Sequence, residues 1–424
     1  MIINRNYLLK GLTLGIFAVL FSTSCTKLNS VYDPHFSEDG KLIQTDTISA
    51  EPFTLQYPKQ IKVYVEVSGS MNGFFRANKP TDFKSDVWEI VSYLTPWISE
   101  GITILTNEGQ KGHTLSFDDF RNRMNQGSFV SSSSTKVPIM LQSIFEDYDA
   151  ENGEVAILIS DMKYSPVGNS APDVLMTQYS TDISRILNKH HQPVCLIGAT
   201  SNYLKKDGNE QTNKSPYYFF ITGKGEHVAY IRNVVSTLLD NNGHFIDNIE
   251  SGFDYGTPNY SFGIPDNCLK LDNEPTFYGY DNSYSDTCTV KLKIDLTNYR
   301  WIVATEACLR ESLKVESRYG ADVKIGNIKL DVKNITNQEL ARTAFATIDL
   351  KISNMPMKAD VLVWNLELPS TVYTLFGPYV TNATNENDVT KSYSVESFIK
   401  GIFYGGIVNT QLPPNYILIS KENN

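Results

Sequence analysis

The sequence predicts an α/β fold, a doubly wound and mostly parallel sheet, followed by a β-rich antiparallel half of sandwich type. Three observations carry that expectation. Between residues 61 and 245 short apolar runs alternate with helix-period segments, the pattern of strands joined by helices that cover both faces of a parallel sheet. Beyond about 245 the period drops to two, as in Val290-Lys291-Leu292-Lys293-Ile294 and Ile328-Lys329-Leu330-Asp331-Val332, where each strand has one wet face. With 424 residues, 41% hydrophobic and 20% charged, the chain is an ordinary globular one. That length suits two or three domains.

In the first half the apolar runs at 61–67, 102–105, 155–160, 194–198 and 217–222 read as strands. Helical patterns fall at 85–94, 137–147, 181–188 and 227–239. The last carries Ile231, Val234, Val235, Leu238 and Leu239 on one face and is stopped by Gly243. In the second half the period-two runs are 287–296, 323–332, 343–352 and 360–368, with a helix expected near 395–403.

The amino terminus reads as an address. Arg5 and Lys10 precede the apolar stretch 12–21, then Ser22-Thr23-Ser24 and Cys25. A charged start, a short apolar run and small residues before the cleavage point make a secretory signal, too short to span a bilayer. The Cys after the small residues resembles the lipobox of bacterial lipoproteins, in the looser form of Bacteroidetes lipoproteins, since Ser22 stands where Leu is usual. That resemblance implies lipidation at Cys25, a membrane anchor, and a place in the cell envelope at the outer membrane. The expected organisation is therefore a signal peptide at 1–24, a polar linker at 25–57, an α/β domain at 58–245 and a β-rich domain at 246–424.

Charge and cysteines narrow the function. The 37 basic residues fall short of the 47 acidic ones, so the net charge is −10 and no nucleic-acid partner is expected. HExxH, paired CxxC, GxSxG, Walker A and GxGxxG motifs are absent from the sequence. Cys195 lies in an apolar run and reads as a core residue, while Cys268, Cys288 and Cys308 allow one disulfide with three pairings.

The chemistry is expected where the first strand of the sheet ends. There Ile61-Lys62-Val63-Tyr64-Val65-Glu66-Val67 runs into Ser68-Gly69-Ser70-Met71. A carboxylate followed at two and four residues by hydroxyls can aim three hard oxygens at one point, at the carboxyl edge where open α/β sheets bind ligands. Such oxygens suit a hard divalent cation: Mg²⁺ first, with Mn²⁺ or Ca²⁺ as alternatives.

Glu66-Val67-Ser68-Gly69-Ser70-Met71 resembles the D-x-S-G-S-M signature of von Willebrand factor A (VWA) domains. The resemblance implies a metal-ion-dependent adhesion site in which Ser68, Ser70 and Thr135 contact the ion while Glu66 and Asp161 hold its waters. Thr135 precedes the helix pattern at 137, and Asp161 ends the strand at 155–160. Glu66 departs from the family's Asp. The implied function is a non-enzymatic, membrane-anchored binding or adhesion protein whose cation is completed by an acidic residue of a protein partner. Two alternatives are an envelope hydrolase or metal-dependent enzyme, and an assembly component with a metal-free site. In a serine-hydrolase reading His113 with Asp118 or Asp119 would serve Ser68 as nucleophile, and in the metal-enzyme reading Asp161 and Glu66 would hold a catalytic cation. The tyrosines and phenylalanine at 255, 260, 262, 278, 280 and 284 read as core aromatics or a platform for sugar or protein, and the oxygen-rich loop 281–286 as a solvated turn.

Overall fold

A computed structural model of the chain describes residues 30–48, 53–106, 110–129, 136–164, 172–253, 258–263, 268–271, 277–280, 287–299, 305–335, 341–369, 375–381, 388–405 and 414–421. Cys25 with the rest of the signal segment, Thr135 and the loop 281–286 lie outside the described residues.

The chain enters through a hairpin, β1 (Ser30–Phe36) and β2 (Leu42–Ile48), within the stretch expected as a linker. The α/β part follows in the order β3 (Gln60–Glu66), α1 (Asp82–Leu94), β4 (Ile102–Thr106), β5 (Gln110–Leu115), α2 (Phe117–Gln126), α3 (Val137–Phe145) and β6 (Glu154–Ser160). It continues with α4 (Pro172–His190), β7 (Val194–Leu204), β8 (Glu210–Thr222), α5 (Gly225–Asn241) and β9 (Phe245–Ser251). These strands form one seven-stranded sheet in the order β5-β4-β3-β6-β8-β7-β9.

The sheet is mixed rather than doubly wound parallel. Parallel pairing is confined to β4, β3 and β6; β5 runs against β4, β8 against β6 and β7, and β9 against β7. The reason lies in one short connection. A parallel crossover needs a dozen or more residues, whereas β7 and β8 are separated by five.

 Gly208, at φ 83, turns the chain back on itself in the left-handed region, and β8 must then lie antiparallel beside β7.

Side chains alternate across this sheet and define two helical layers. Ile61, Val63 and Val65 of β3 meet α1, α2 and α5, through Phe83, Val87, Phe120, Val228 and Val235 among others. Tyr64 and, from β6, Leu158 face the other way, toward Met140 and Ile144 of α3 and Tyr179 and Ile183 of α4. Buried on both faces, β3 and β6 read as near-continuous apolar runs, which is why the sequence displays them so plainly.

Beyond residue 258 two further sheets share a core. One has the order β10 (Tyr260–Gly263), β13 (Thr287–Asp295), β16 (Ala341–Ser353) and β15 (Asp322–Ile335), all antiparallel. The other has the order β11 (Cys268–Leu271), β12 (Phe277–Tyr280), β20 (Asn415–Lys421), β17 (Ala359–Leu366) and β14 (Leu313–Ser317), antiparallel except where β12 and β20 run together. Val290, Leu292 and Ile294 pack with Ala346, Ile348 and Leu350 against Leu362, Trp364, Ile417 and Ile419 of the facing sheet. Tyr260 belongs to this core, edge-on to Trp364 at 5.2 Å between ring centres, and its hydroxyl donates to Tyr416 O at 3.0 Å. Cys288 is disulfide-bonded and Cys308 is a free thiol, which removes the two pairings involving Cys308; Cys195 is free and buried in β7.

Besides Ala229 of α5, which lies in the core of the β-rich half, elements from each end of the chain reach across to the other half. Phe36 of the entering hairpin packs on Ala359, Val361 and Leu418 of the five-stranded sheet. In the other direction, the chain returns through β18 (Val380–Thr381), β19 (Ser392–Tyr393) and α7 (Val395–Gly405) to the α/β part. There Phe398, Ile399 and Ile402 pack beside Tyr179, Ile183 and Leu187 of α4.

Candidate functional site

Strand β3 ends at Glu66, and the chain turns through a 3-10 helix, Gly69–Gly73. Neighbouring β6 ends at Ser160, so Asp161 emerges beside it at the same edge of the sheet. Glu66, Ser68, Ser160 and Asp161 are all buried. The Glu66 carboxylate is fully engaged locally: Oε1 accepts from Ser68 N at 2.7 Å and Oε2 from Ser160 Oγ at 3.0 Å. It therefore braces the loop against β6. Ser68 Oγ and Ser70 Oγ lie 2.8 Å apart, so the two hydroxyls share one hydrogen bond.

Asp161 is arranged differently. Its Oδ1 accepts from Lys163 N at 3.1 Å, while Oδ2 is buried with no hydrogen-bond partner. A buried carboxylate oxygen left in this way is costly and invites a cation or an ordered donor. The cation that the chain itself offers is Lys163, whose Nζ stands 3.9 Å from Oδ2. Directly after Asp161, Met162 adopts a left-handed φ of 55, fixed by its buried side chain and by Met162 N donating to Ser160 Oγ at 2.8 Å. Such a conformation costs about 1–3 kcal/mol and clusters at functional sites.

The electrostatics follow from burial. Removal from water first, and the charge of Asp161 second, push the Glu66 carboxyl from its ordinary 4.5 up to about 7, against the hydrogen bonds from Ser68 and Ser160. Two carboxylates in one dry corner repel, and a positive ion between them would relieve the repulsion.

Side chains distant in sequence complete the walls. Tyr203 of β7 donates its hydroxyl to Ser70 O at 2.9 Å and lies so close to Gly73 that a Cβ there would overlap its ring. From the returning segment, Ser392 Oγ donates to Asp161 O at 2.9 Å, and Ser394 Oγ accepts from Tyr164 N at 3.3 Å. The structure thus brings Glu66, Ser68, Ser70 and Asp161 to one edge, and Ser160, Lys163, Tyr203 and Ser392 join them. Ser160 and Lys163 carry a sequence signal, flanking the strand-end Asp161. Tyr203 and Ser392 carry none, being 133 and 231 residues from their partners.

His113 and Asp119 are engaged elsewhere. His113 Nε2 faces an Arg123 nitrogen at 3.4 Å, and Asp119 closes the start of α2 with Ser116, whose Oγ donates to Oδ2 at 2.9 Å. No hydrogen bond among the described residues links either of them to Ser68. His190 stacks on Phe145 with 4.5 Å between ring centres.

The donor set at the strand ends is oxygen only: two hydroxyls and a carboxylate oxygen that accepts no hydrogen bond. Among the described residues no three His, Cys, Asp or Glu side chains converge as metal ligands, so a cation here would depend on the serines. That composition fits a hard cation, with Glu66 kept as a brace. Comparison with protein-family models, curated proteins and solved structures finds no match.

Proposed function

We propose that the chain is a membrane-anchored protein of the cell envelope, with a VWA-like α/β part, that binds a protein partner through a divalent cation. The observation that supports this reading best is the buried Oδ2 of Asp161, without a hydrogen bond, at the same sheet edge as the Ser68 and Ser70 hydroxyls. Ser68, Ser70 and Asp161 would hold the cation, joined by Thr135 if the VWA resemblance extends that far. Glu66 would fix the loop and carry compensating charge. When bound, a hard cation with an open position supplies attraction for a partner carboxylate. Among the described residues no helix is long and apolar enough to cross a membrane, and the anchor rests on Cys25 alone.

The test is thermal unfolding with EDTA and with millimolar Mg²⁺, Mn²⁺ or Ca²⁺. A cation at about 100 times its Kd adds about 2.7 kcal/mol to the folded state. One cation should raise the midpoint, and Ser70→Ala should remove the rise. An unchanged midpoint with all three refutes the cation.

Lys163 favours a second reading, an assembly component whose site is metal-free because the ammonium, 3.9 Å from Asp161 Oδ2, takes the cation's place. In that case Lys163→Met, and not the native chain, gains cation-dependent stabilisation.

A further inference from the structure

An aromatic group unrelated to the strand ends lies at the opposite edge of the sheet, where β3 begins. Tyr57, from the segment leading into β3, stacks on Trp97 with 5.6 Å between ring centres and 9° between the planes. Trp97 closes the 3-10 turn Thr95–Trp97 that follows α1. Tyr230 of α5 meets both rings edge-on, 4.8 Å from Tyr57 and 5.8 Å from Trp97 between centres. Segments far apart in sequence thus bring their rings to one spot. Tyr57 is nonetheless 67% exposed. With one face on Trp97, exposure of that extent leaves its other face open to solvent.

The ring is held in place. Gln56 N donates to Glu226 O at 3.3 Å, Gln56 O faces His227 Nδ1 at 3.3 Å, and Lys59 N donates to Gly153 O at 2.9 Å, so the chain is clamped on both sides of Tyr57. A ring face fixed in this way has given up its freedom before any ligand arrives. The polar groups around it are hydroxyls and carboxylates. Burial first, and then the nearby hydroxyls of Tyr93 and Tyr57, hold the Tyr230 hydroxyl above its ordinary value, so three phenol oxygens crowd the rim. Glu226, four residues before Tyr230 on the same face of α5, and exposed Glu100 add carboxylates. The flanking basic side chains turn away: the Lys59 stem lies over Gly153, and Lys224 pairs with Glu151 at 3.1 Å.

We propose that this platform binds a neutral glycan, with one pyranose ring laid on the open face of Tyr57. A pyranose presents C–H groups on its face and hydroxyls around its edge. The C–H face suits the electron-rich face of a held aromatic ring, and the edge hydroxyls suit acceptors such as Glu226, Glu100 and the tyrosine oxygens. Charge selects against an acidic sugar or an anionic lipid headgroup, either of which would meet carboxylates with no cation turned toward it. Size selects against a protein, whose stable interface covers about 800 Å² on each side. One open ring face beside the half-buried Trp97 and Tyr230 offers only a fraction of that.

The experiment is native affinity electrophoresis of the full chain in EDTA, through gels containing a neutral β-glucan, α-glucan, mannan or xylan, against a gel without polysaccharide. EDTA silences the cation proposed at the strand ends, so the two sites are tested apart. Retardation is expected in at least one of the four polysaccharides. Its affinity should fall about tenfold or more in Tyr57→Ala and persist in Tyr57→Phe, which keeps the ring. Tyr57→Leu keeps apolar packing on Trp97 without a ring face and should bind as weakly as Tyr57→Ala, which keeps the test meaningful if the alanine variant fails to fold. Native mobility in all four gels overturns the proposal. So does retardation that survives in Tyr57→Ala or Tyr57→Leu, or that is lost in Tyr57→Phe. Co-sedimentation with anionic phospholipid vesicles in place of retardation would overturn it in favour of a membrane surface.

Discussion

Replacing Glu66 with Gln tests the electrostatics of the strand-end site directly. In the native chain burial and Asp161 raise this carboxyl from 4.5 to about 7. The folded state then holds a proton that the unfolded state has released between those two values. Stability contributed by the group is therefore fully present below about pH 4.5 and is lost as the pH rises through 7. At about 1.36 kcal/mol for each pH unit between the two values, the loss approaches about 3 kcal/mol, an upper figure because Asp161 shares the repulsion. In EDTA, urea unfolding of the native chain should show this decline between pH 5 and pH 8. Glu66→Gln keeps the size of the side chain and an oxygen for Ser68 N, at a nearly constant cost of about 1 kcal/mol. Its stability at pH 8 should consequently exceed that of the native chain, while at pH 5 the order reverses. Parallel curves for the two proteins would refute the assignment of the raised carboxyl to Glu66.

Three further outcomes are expected. Gly73→Ala drives a methyl into the Tyr203 ring, so urea unfolding should show a loss of about 1–3 kcal/mol. Ser392→Ala removes the buried donor to Asp161 O and should cost about 1–3 kcal/mol by the same measurement; a loss below a few tenths would mean that the returning segment does not brace the site. Arg232→Met strands the buried Glu250 carboxylate, which now pairs with Arg232 at 2.7 Å, and should cost about 3–5 kcal/mol in unfolding, with Glu250→Gln recovering part of it in the double variant.

The sequence displayed what local patterning can display. Strands β3 and β6 were legible because both faces are buried, and α5 because Ile231, Val234 and Val235 recur at helical spacing. The direction of β8 was not, since the run Tyr217-Tyr218-Phe219-Phe220-Ile221 reads alike in either sense. The turn chemistry of Asp207-Gly208 held the missing information, because a tight turn there leaves only a hairpin. Hairpin β1–β2 reads as a spacer because its stretch is polar and shows little periodicity, although Pro34 and Phe36 are buried. At the site, Glu66, Ser68, Ser70 and Asp161 lie at the ends of apolar runs and could be read directly. Tyr203 and Ser392 reach the site only through the fold, as side chains on strands distant in sequence.

The crossing of the chain ends between the halves has a practical consequence. The entering hairpin is seated on Val361 and Leu418 of the later half, and α7, from that later half, is seated on α4 of the earlier one. A single proteolytic cut between Gly252 and Pro258 would leave two fragments that still grip each other at both ends and elute as one species. A shortened gene covering only 58–245 would instead lay bare Tyr179, Ile183 and Leu187 where Phe398 and Ile402 belong, and its product should aggregate.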